Sequence, residues 1–336
     1  MRTLVIKLSS LGDIAHSFPT LEVLSSLDGV EVYWVIDEGF KPLLEKDPRV
    51  KKLLPVKKGH LKALLRGFRW PSFLKEVGNL IVELRSEKFD ALFDLQGDFK
   101  SALISLFVKA SAKLTFPDAS EGNPLFLKRV SARPESLHVA ERYLDVIRHY
   151  FKLDIPKAPF AGPYIPQEVK VKALRKFEGL LSKKVVALIP ASTWESRTWP
   201  TQRWEKLSWA LLKLGFIPVV IGGDDARKFD IDGLLNLGGE LSLLETCAFL
   251  SMCDLAIGVD TGPTNLAGSL GTPTIALFGP TTYWRNYPWG PRVKVLYHLV
   301  GCNPCRRRSC PSKLCMLSIS VEEVLEAVSG LSSLDL

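Results

Sequence analysis

Short runs of β-branched and large apolar residues alternate along this chain with longer stretches whose apolar positions recur every three or four residues. Residues 3–8 (TLVIKL) form the first run and predict a buried strand; Ile14, Phe18, Leu21 and Leu24 then trace one face of a helix over 14–27. Residues 30–36 (VEVYWVI), 51–56 and 90–95 (DALFDL) read as further strands. Phe73, Leu74, Val77, Leu80, Ile81 and Leu84 mark one helix face, and residues 137–151 predict another helix. Such alternation implies a parallel, doubly wound sheet. Pro156, Pro159, Pro163 and Pro166, with Gly162, give residues 152–167 the composition of a linker. Beyond it the alternation resumes: helix 169–181, strand 185–190, helix 204–214, strand 216–223, helix 243–252, strand 255–259, a short helix, and strand 274–278. Ser320 and Glu323 have capping-box spacing ahead of Val321, Val324, Leu325 and Val328, so an amphipathic helix closes the pattern. The pattern predicts an α/β chain of two Rossmann-like doubly wound domains, 1–160 and 161–336.

One βαβ unit organises the second half. The run 255–259 ends in Asp260-Thr261-Gly262, a small-residue helix follows, and the run 274–278 ends in Gly279-Pro280-Thr281. Ligands of open α/β sheets sit at the carboxyl ends of the strands, and backbone N–H groups at a helix start suit a diphosphate there. Gly262 lets the backbone approach closely, and Ala267, Gly268 and Ser269 let helix and sheet pack tightly. In the first half the turn Ser9-Ser10-Leu11-Gly12-Asp13 lacks G-x-G-x-x-G and sets a carboxylate, Asp13, at the helix start. A capping role and a chemical role for Asp13 are compatible. Asp230 and Asp232 imitate a metal-binding D-x-D, yet they follow the Gly222-Gly223 turn away from any strand end and read as a solvated helix face.

Composition adds three constraints. No apolar run approaches the about 18 residues of a membrane span, and Lys7 interrupts the N-terminal run, so neither a span nor a signal peptide is expected and the protein is expected in the cytoplasm. A net charge of +8 calls for an anionic partner: nucleic acid, phospholipid or a phosphorylated substrate. Residues 51–70 concentrate it, with Lys51, Lys52, Lys57, Lys58, Lys62, Arg66 and Arg69, no acid, and Leu61, Leu64, Leu65, Phe68 and Trp70 interleaved. Such a surface suits anionic lipid headgroups, and no nucleic-acid motif accompanies it. Among six cysteines, Cys247 and Cys253 fall on the apolar side of a helix, whereas Cys302, Cys305, Cys310 and Cys315 form C-x2-C-x4-C-x4-C. That spacing fits a structural zinc site or two disulfides.

Six blocks in order resemble glycosyltransferase family 9, the ADP-heptose:lipopolysaccharide heptosyltransferases, and most of all its type I enzymes. They are IKLSSLGDIAHSFPTL, WVIDEGF, DLQGDFKSA with HVAERY, PASTWESRTWP, and GVDTGPTNLAGSLGTPTIALFGPT, and the resemblance runs from residue 1 to about 300. It implies the glycosyltransferase B architecture, two Rossmann-like domains facing across a cleft, with the acceptor on the first domain and the donor on the second. It also implies transfer of L-glycero-D-manno-heptose from ADP-heptose to the Kdo sugar of phosphorylated lipid A–Kdo, with inversion and without a catalytic metal or cofactor, by a peripheral protein of the cytoplasmic face of the inner membrane.

By the same resemblance Asp13 is the base that takes the acceptor's proton. Arg197 and the helix start after Gly262 stabilise the departing ADP. Asp260, Thr261 and Leu241 hold ribose and adenine, and Thr193, Asp225 and Asn265 complete the donor set. Ser10, Gly12, His16, Lys57, Lys58 and Lys62 fall to the acceptor. Two positions depart from the family: Arg197 stands where Lys is usual, which keeps the charge and adds a fork, and Asn265 stands where His is usual. Asp224 and Asp225 compete for the acidic position after Gly222-Gly223; Asp225 is taken. Similar cysteine clusters occur in the wider family, favouring a structural role and leaving zinc and disulfides open. The rivals are a type II heptosyltransferase or another family 9 sugar transferase, a sugar-nucleotide epimerase, and a metal-binding protein built on the cysteines.

Overall fold

Lys7 stands just beyond the middle strand of a six-stranded parallel sheet, and the elements around it follow the predicted alternation closely. The computed structural model describes residues 1–332, and the chain divides into two units, Met1–Pro159 and Phe160–Leu336. In the first unit the order along the chain is β1 (Arg2–Ile6), α1 (Leu11–Ala15), α2 (Phe18–Ser26), β2 (Glu31–Asp37), α3 (Pro42–Glu45), β3 (Lys52–Val56), α4 (Lys58–Arg66), α5 (Trp70–Arg85), β4 (Lys88–Asp94), α6 (Phe99–Phe107), β5 (Lys109–Thr115), β6 (Lys128–Arg129) and α7 (Val139–Phe151). The strands lie in the order β3-β2-β1-β4-β5-β6, with Ile6 level with Val35 on one side and Asp94 on the other. Leu4, Val5 and Ile6 are wholly buried because both faces of a parallel sheet are covered, so the strand reads as a continuous apolar run. Leu4, Ile6, Tyr33, Val35, Leu84 and Leu92 belong to one core cluster.

The helix expected over 14–27 is two helices. Pro19, in the first turn of α2, has no N–H to offer a carbonyl one turn back, so the first helix stops at Ala15 and the chain restarts after Ser17. Strands β5 and β6 were not predicted; β5 (KASAKLT) is partly exposed along most of its length and so carries lysines where a central strand would carry valines.

The second unit continues with α8 (Gln167–Leu181), β7 (Lys184–Ile189), α9 (Thr201–Lys213), β8 (Phe216–Val220), β9 (Leu235–Asn236), α10 (Leu243–Met252), β10 (Leu255–Val259), α11 (Gly262–Ser269), β11 (Thr274–Leu277), α12 (Tyr283–Asn286), β12 (Val293–Leu296), α13 (Leu314–Leu317) and α14 (Val321–Ser332). Its parallel sheet runs β12-β11-β10-β7-β8-β9, which places β10 between β11 and β7. Val186, Leu188, Trp199, Trp204, Ile257, Ile275, Met316 and Val324 share its main core.

Three sequence readings change here. Close approach of α11 to the sheet depends on Gly258 rather than Gly268: a Cβ on Gly258 would meet Thr264 Oγ1 at 2.3 Å and Ile189 Cβ at 2.8 Å, whereas one on Gly268 would meet Pro288. The capping box of α14 is one-sided, since Ser320 Oγ accepts from Glu323 N (3.1 Å) but the Glu323 carboxylate goes to His298 Nε2 (2.8 Å). Asp230 and Asp232 are solvated as expected, but on a loop, not a helix. Cys247 is fully buried on α10 and Cys253 nearly so. Among the described residues no helix is long and apolar enough to cross a membrane.

Candidate active site

In the first unit the predicted residues gather where β1 ends. Ser10 is the N-cap of α1 and Asp13 stands three residues into it, so Asp13 is not itself the cap. Its Oδ2 instead accepts from Ser10 N (3.1 Å) and Ser10 Oγ (2.8 Å), the returning half of a capping box. Burial alone would push the Asp13 carboxyl above the usual aspartate range. The Lys7 ammonium, the Ser10 N–H, His16 and the Ser10 hydroxyl outweigh it and hold the carboxyl below the usual aspartate range. Lys7 is 2% exposed; its Nζ donates to Leu95 O (3.1 Å) and to Tyr143 Oη (2.9 Å). A buried cation beneath a half-buried carboxylate keeps that carboxylate ionised.

Other predicted acceptor residues fall on both sides of this turn. Gly12 is buried within α1. His16 is buried with its ring edge-on to His138, centroids 4.9 Å apart, and His138 Nδ1 in turn caps α7 by accepting from Ala140 N (3.1 Å). Lys58 reaches the turn directly, its Nζ donating to Ser9 Oγ (3.2 Å) with Asp37 Oδ2 at 3.8 Å. Lys57 turns to Glu76 instead (3.7 Å), and Lys62 stays exposed on α4. Gln96 was read only as part of a block. Its Oε1 accepts from both Leu8 N (3.1 Å) and Ser9 N (3.2 Å), tying the turn before Asp13 to the end of β4. Asp94 braces that end, accepting from Gln96 N, Gly97 N, Ser101 Oγ and Asn123 Nδ2 at 2.6–3.1 Å. Burial still pushes the Asp94 carboxyl up against those donors.

In the second unit several of the residues predicted to hold the donor gather at the carboxyl end of β10. Asp260 is 7% exposed; its Oδ2 accepts from Thr281 Oγ1 (2.7 Å) and faces Arg197 Nη1 (3.3 Å), which also donates to Asp260 O (3.0 Å). Arg197 lies flat on Trp194, its Cζ 3.9 Å from the ring centroid. Thr261 occupies the N-cap of α11 without a side-chain cap bond; its hydroxyl meets Thr264 Oγ1 at 3.2 Å. The helix start at Gly262 is thus without a side-chain cap. Asn265 is nearly buried one turn on, and Thr193 is exposed beside Trp194. Asp225 and Leu241 lie on other loops. Asp225 is exposed in a short 3₁₀ turn after β8, where its neighbour Asp224 pairs with Arg227 (3.3 Å), and Leu241 is half-buried just before α10.

The four C-terminal cysteines are all thiols, and among the described residues no group of three or more His, Cys, Asp or Glu side chains is placed to hold a metal ion. Burial pushes the Cys315 thiol up, whereas the Ser312 hydroxyl holds half-buried Cys310 down.

The model of glycosyltransferase family 9 (heptosyltransferase) matches residues 77–316. The chain belongs to this family. Among curated relatives, lipopolysaccharide heptosyltransferase 1 of Pseudomonas aeruginosa is 27% identical over 92% of this chain and 87% of its own. Lipooligosaccharide heptosyltransferase 2 of Campylobacter jejuni is 26% identical over 75% and 79%. Two solved E. coli structures share the fold: heptosyltransferase WaaC with ADP (TM-score 0.76, 20% identity, 98% and 99% covered) and ADP-heptose lps heptosyltransferase II (0.77, 19%, 98% and 98%). The two-domain α/β fold expected from the sequence is thus that of solved heptosyltransferases. As a family 9 glycosyltransferase the chain must stabilise a departing nucleotide and deprotonate an acceptor. The Arg197–Asp260 turn suits the first task and Asp13 the second.

Proposed function

We propose that this glycosyltransferase is a type I heptosyltransferase of lipopolysaccharide core synthesis. It moves L-glycero-D-manno-heptose from ADP-heptose to the Kdo of phosphorylated lipid A–Kdo with inversion. The observation that carries this reading is the Asp260 turn: a guanidinium fixed by a carboxylate and an indole at a helix start whose N-cap side chain makes no cap bond. That is the constellation a leaving nucleoside diphosphate asks for.

In the reaction the acceptor hydroxyl oxygen bonds to the anomeric carbon of heptose as the bond from that carbon to the diphosphate oxygen breaks. The electron pair leaves with ADP, where Arg197 and the start of α11 meet the new charge. The hydroxyl proton passes to Asp13, which its neighbours hold ionised. In this reading the protein's own cations replace a divalent metal, and neither zinc nor disulfides at the cysteines take part in the chemistry. The basic run supports an anionic, membrane-borne acceptor: Lys58 touches the base-bearing turn, and Leu65, Phe68, Trp70 and Leu74 stand exposed around it. That surface supports reading the protein as a peripheral protein on the cytoplasmic face of the inner membrane.

The likeness to a type 2 relative gives the second reading, in which the acceptor already carries one heptose. ADP release from ADP-heptose, measured with no acceptor, with Kdo–lipid A and with heptosyl-Kdo–lipid A, tests both. Release that requires Kdo–lipid A supports type I, and release that requires the heptosylated acceptor selects type II. Release indifferent to acceptor refutes transfer.

A further inference from the structure

The segment 302–315 is stapled to the second unit at two separate loops. Next to β11, Asn303 Nδ2 donates to Gly279 O (3.1 Å) and Arg306 N donates to Pro280 O (2.8 Å). Next to β7, Ser196 N donates to Arg308 O (3.1 Å), Ser196 Oγ donates to Arg307 O (2.5 Å), and Glu195 Oε2 accepts from Cys310 N (3.1 Å). Lys313 adds an ion pair to Glu195. Because β10 lies between β11 and β7, these two loops flank the Asp260-Thr261-Gly262 turn. The segment is therefore a strap that bridges the neighbours of the donor turn, and its bridging stretch carries three consecutive arginines, Arg306, Arg307 and Arg308.

Arg308 is set apart by its side chain. Its Cζ stands 5.4 Å from the ring centroid of Trp194, the indole that also carries Arg197 at 3.9 Å. Arg197 is neutralised in part by Asp260, but Arg308 is exposed and, among the described residues, has no carboxylate partner. A guanidinium stacked on an aromatic face keeps its N–H fork free in plane for a phosphate. The two bonds from Ser196 fix the Arg308 carbonyl and that of the residue before it, so the backbone that carries the side chain is held beside Trp194.

We propose that Arg308 is a donor-binding residue, which binds the diphosphate alongside Arg197 on the shared indole of Trp194, with the strap holding it there. This rests on the donor reading of the Asp260 turn and extends it to a residue the sequence did not suggest.

The test is calorimetric titration of ADP into the full-length protein and four variants: Arg308→Gln, Arg308→Met, Arg197→Gln and, as a control for net charge, Arg175→Gln on the exposed surface of α8. Loss of one charge-assisted contact predicts that Arg308→Gln raises the ADP Kd about tenfold or more, with melting temperature and the Arg175→Gln affinity unchanged. An Arg308→Gln affinity equal to that of Arg175→Gln, with Arg197→Gln weakened, overturns the proposal and leaves the donor reading standing. If the wild type does not bind ADP, or Arg197→Gln binds it normally, the donor reading falls and takes the proposal with it. Should Arg308→Gln melt early, Arg308→Met decides, because it keeps an apolar contact with Trp194 and removes only the charge: weakened ADP binding supports the proposal and wild-type binding overturns it.

Discussion

Replacing Asp13 with asparagine separates its two jobs. As a structural group the carboxylate accepts two hydrogen bonds from Ser10, at 3.1 and 2.8 Å. The amide oxygen of asparagine can keep one or both, so the stability cost is that of a weakened cap, about 1 kcal/mol. For a unit of this size that lowers the melting temperature by about 2–4 °C. It is a small part of the roughly 5–15 kcal/mol that holds a domain folded, so nearly every molecule stays native at assay temperature. As a base, the group loses its proton-accepting charge altogether, which costs about 10²–10⁴-fold in turnover, or about 3–5 kcal/mol of barrier. The two costs differ enough to be told apart.

The assay is ADP release with saturating ADP-heptose and Kdo–lipid A, run beside ADP calorimetry and a thermal melt of the same preparation. Turnover is expected to collapse while ADP affinity stays at the wild-type value, because the residues proposed for ADP lie in the other unit. Turnover within tenfold of wild type refutes the assignment and reduces Asp13 to a helix-start acceptor. The pH dependence has a definite sign. Asp13 is held below the usual aspartate range in the folded protein, so its contribution to stability is present above that range and is lost as pH falls through the depressed value. The acid limb of kcat/KM lies correspondingly below that of an ordinary aspartate.

Lys7→Met removes the cation that does most to hold Asp13 down, so the acid limb of the pH–rate profile should move to higher pH; a limb that does not move while the protein stays folded argues against Lys7 as its cause. Gly258→Ala puts a methyl 2.3 Å from Thr264 Oγ1, and overpacking there should cost about 1–3 kcal/mol and shift α11, so the melt should fall and ADP binding weaken together. Lys57, Lys58 and Lys62 changed together to Gln should reduce sedimentation with anionic vesicles, and added salt should reduce it for the wild type; binding indifferent to both removes the membrane role.

What the sequence showed depends on how local each feature is. The run LAIGV reads as a strand because β10 is buried on both faces, and the Asp-Thr-Gly that ends it is conspicuous beside so many apolar neighbours. Helix α7 was equally plain, with apolar positions at helical spacing from Val139 to Ile147. β5 escaped because partial exposure let lysines into it, and the break between α1 and α2 was missed because apolar spacing carries across Pro19 unaltered even though the hydrogen-bond ladder cannot. In the candidate site the same limit becomes chemical. Lys7 looked like a flaw in an apolar run. It is a buried ammonium whose partners stand 88 and 136 residues away. Arg308 looked like one charge among the cysteines, and the Ser196 that holds its carbonyl is more than a hundred residues upstream.

Residue type and spacing therefore singled out Asp13 and Arg197 as candidates, because those sit at turns whose shape is local. The groups that set their charge and direction are Lys7, Gln96, Trp194 and, on the reading above, Arg308. Their roles follow from which turns the sheet order brings side by side. Gln96 is the clearest case: one amide oxygen holds two N–H groups of the turn after β1 only because β4 pairs with β1, and no pattern within either segment encodes that pairing.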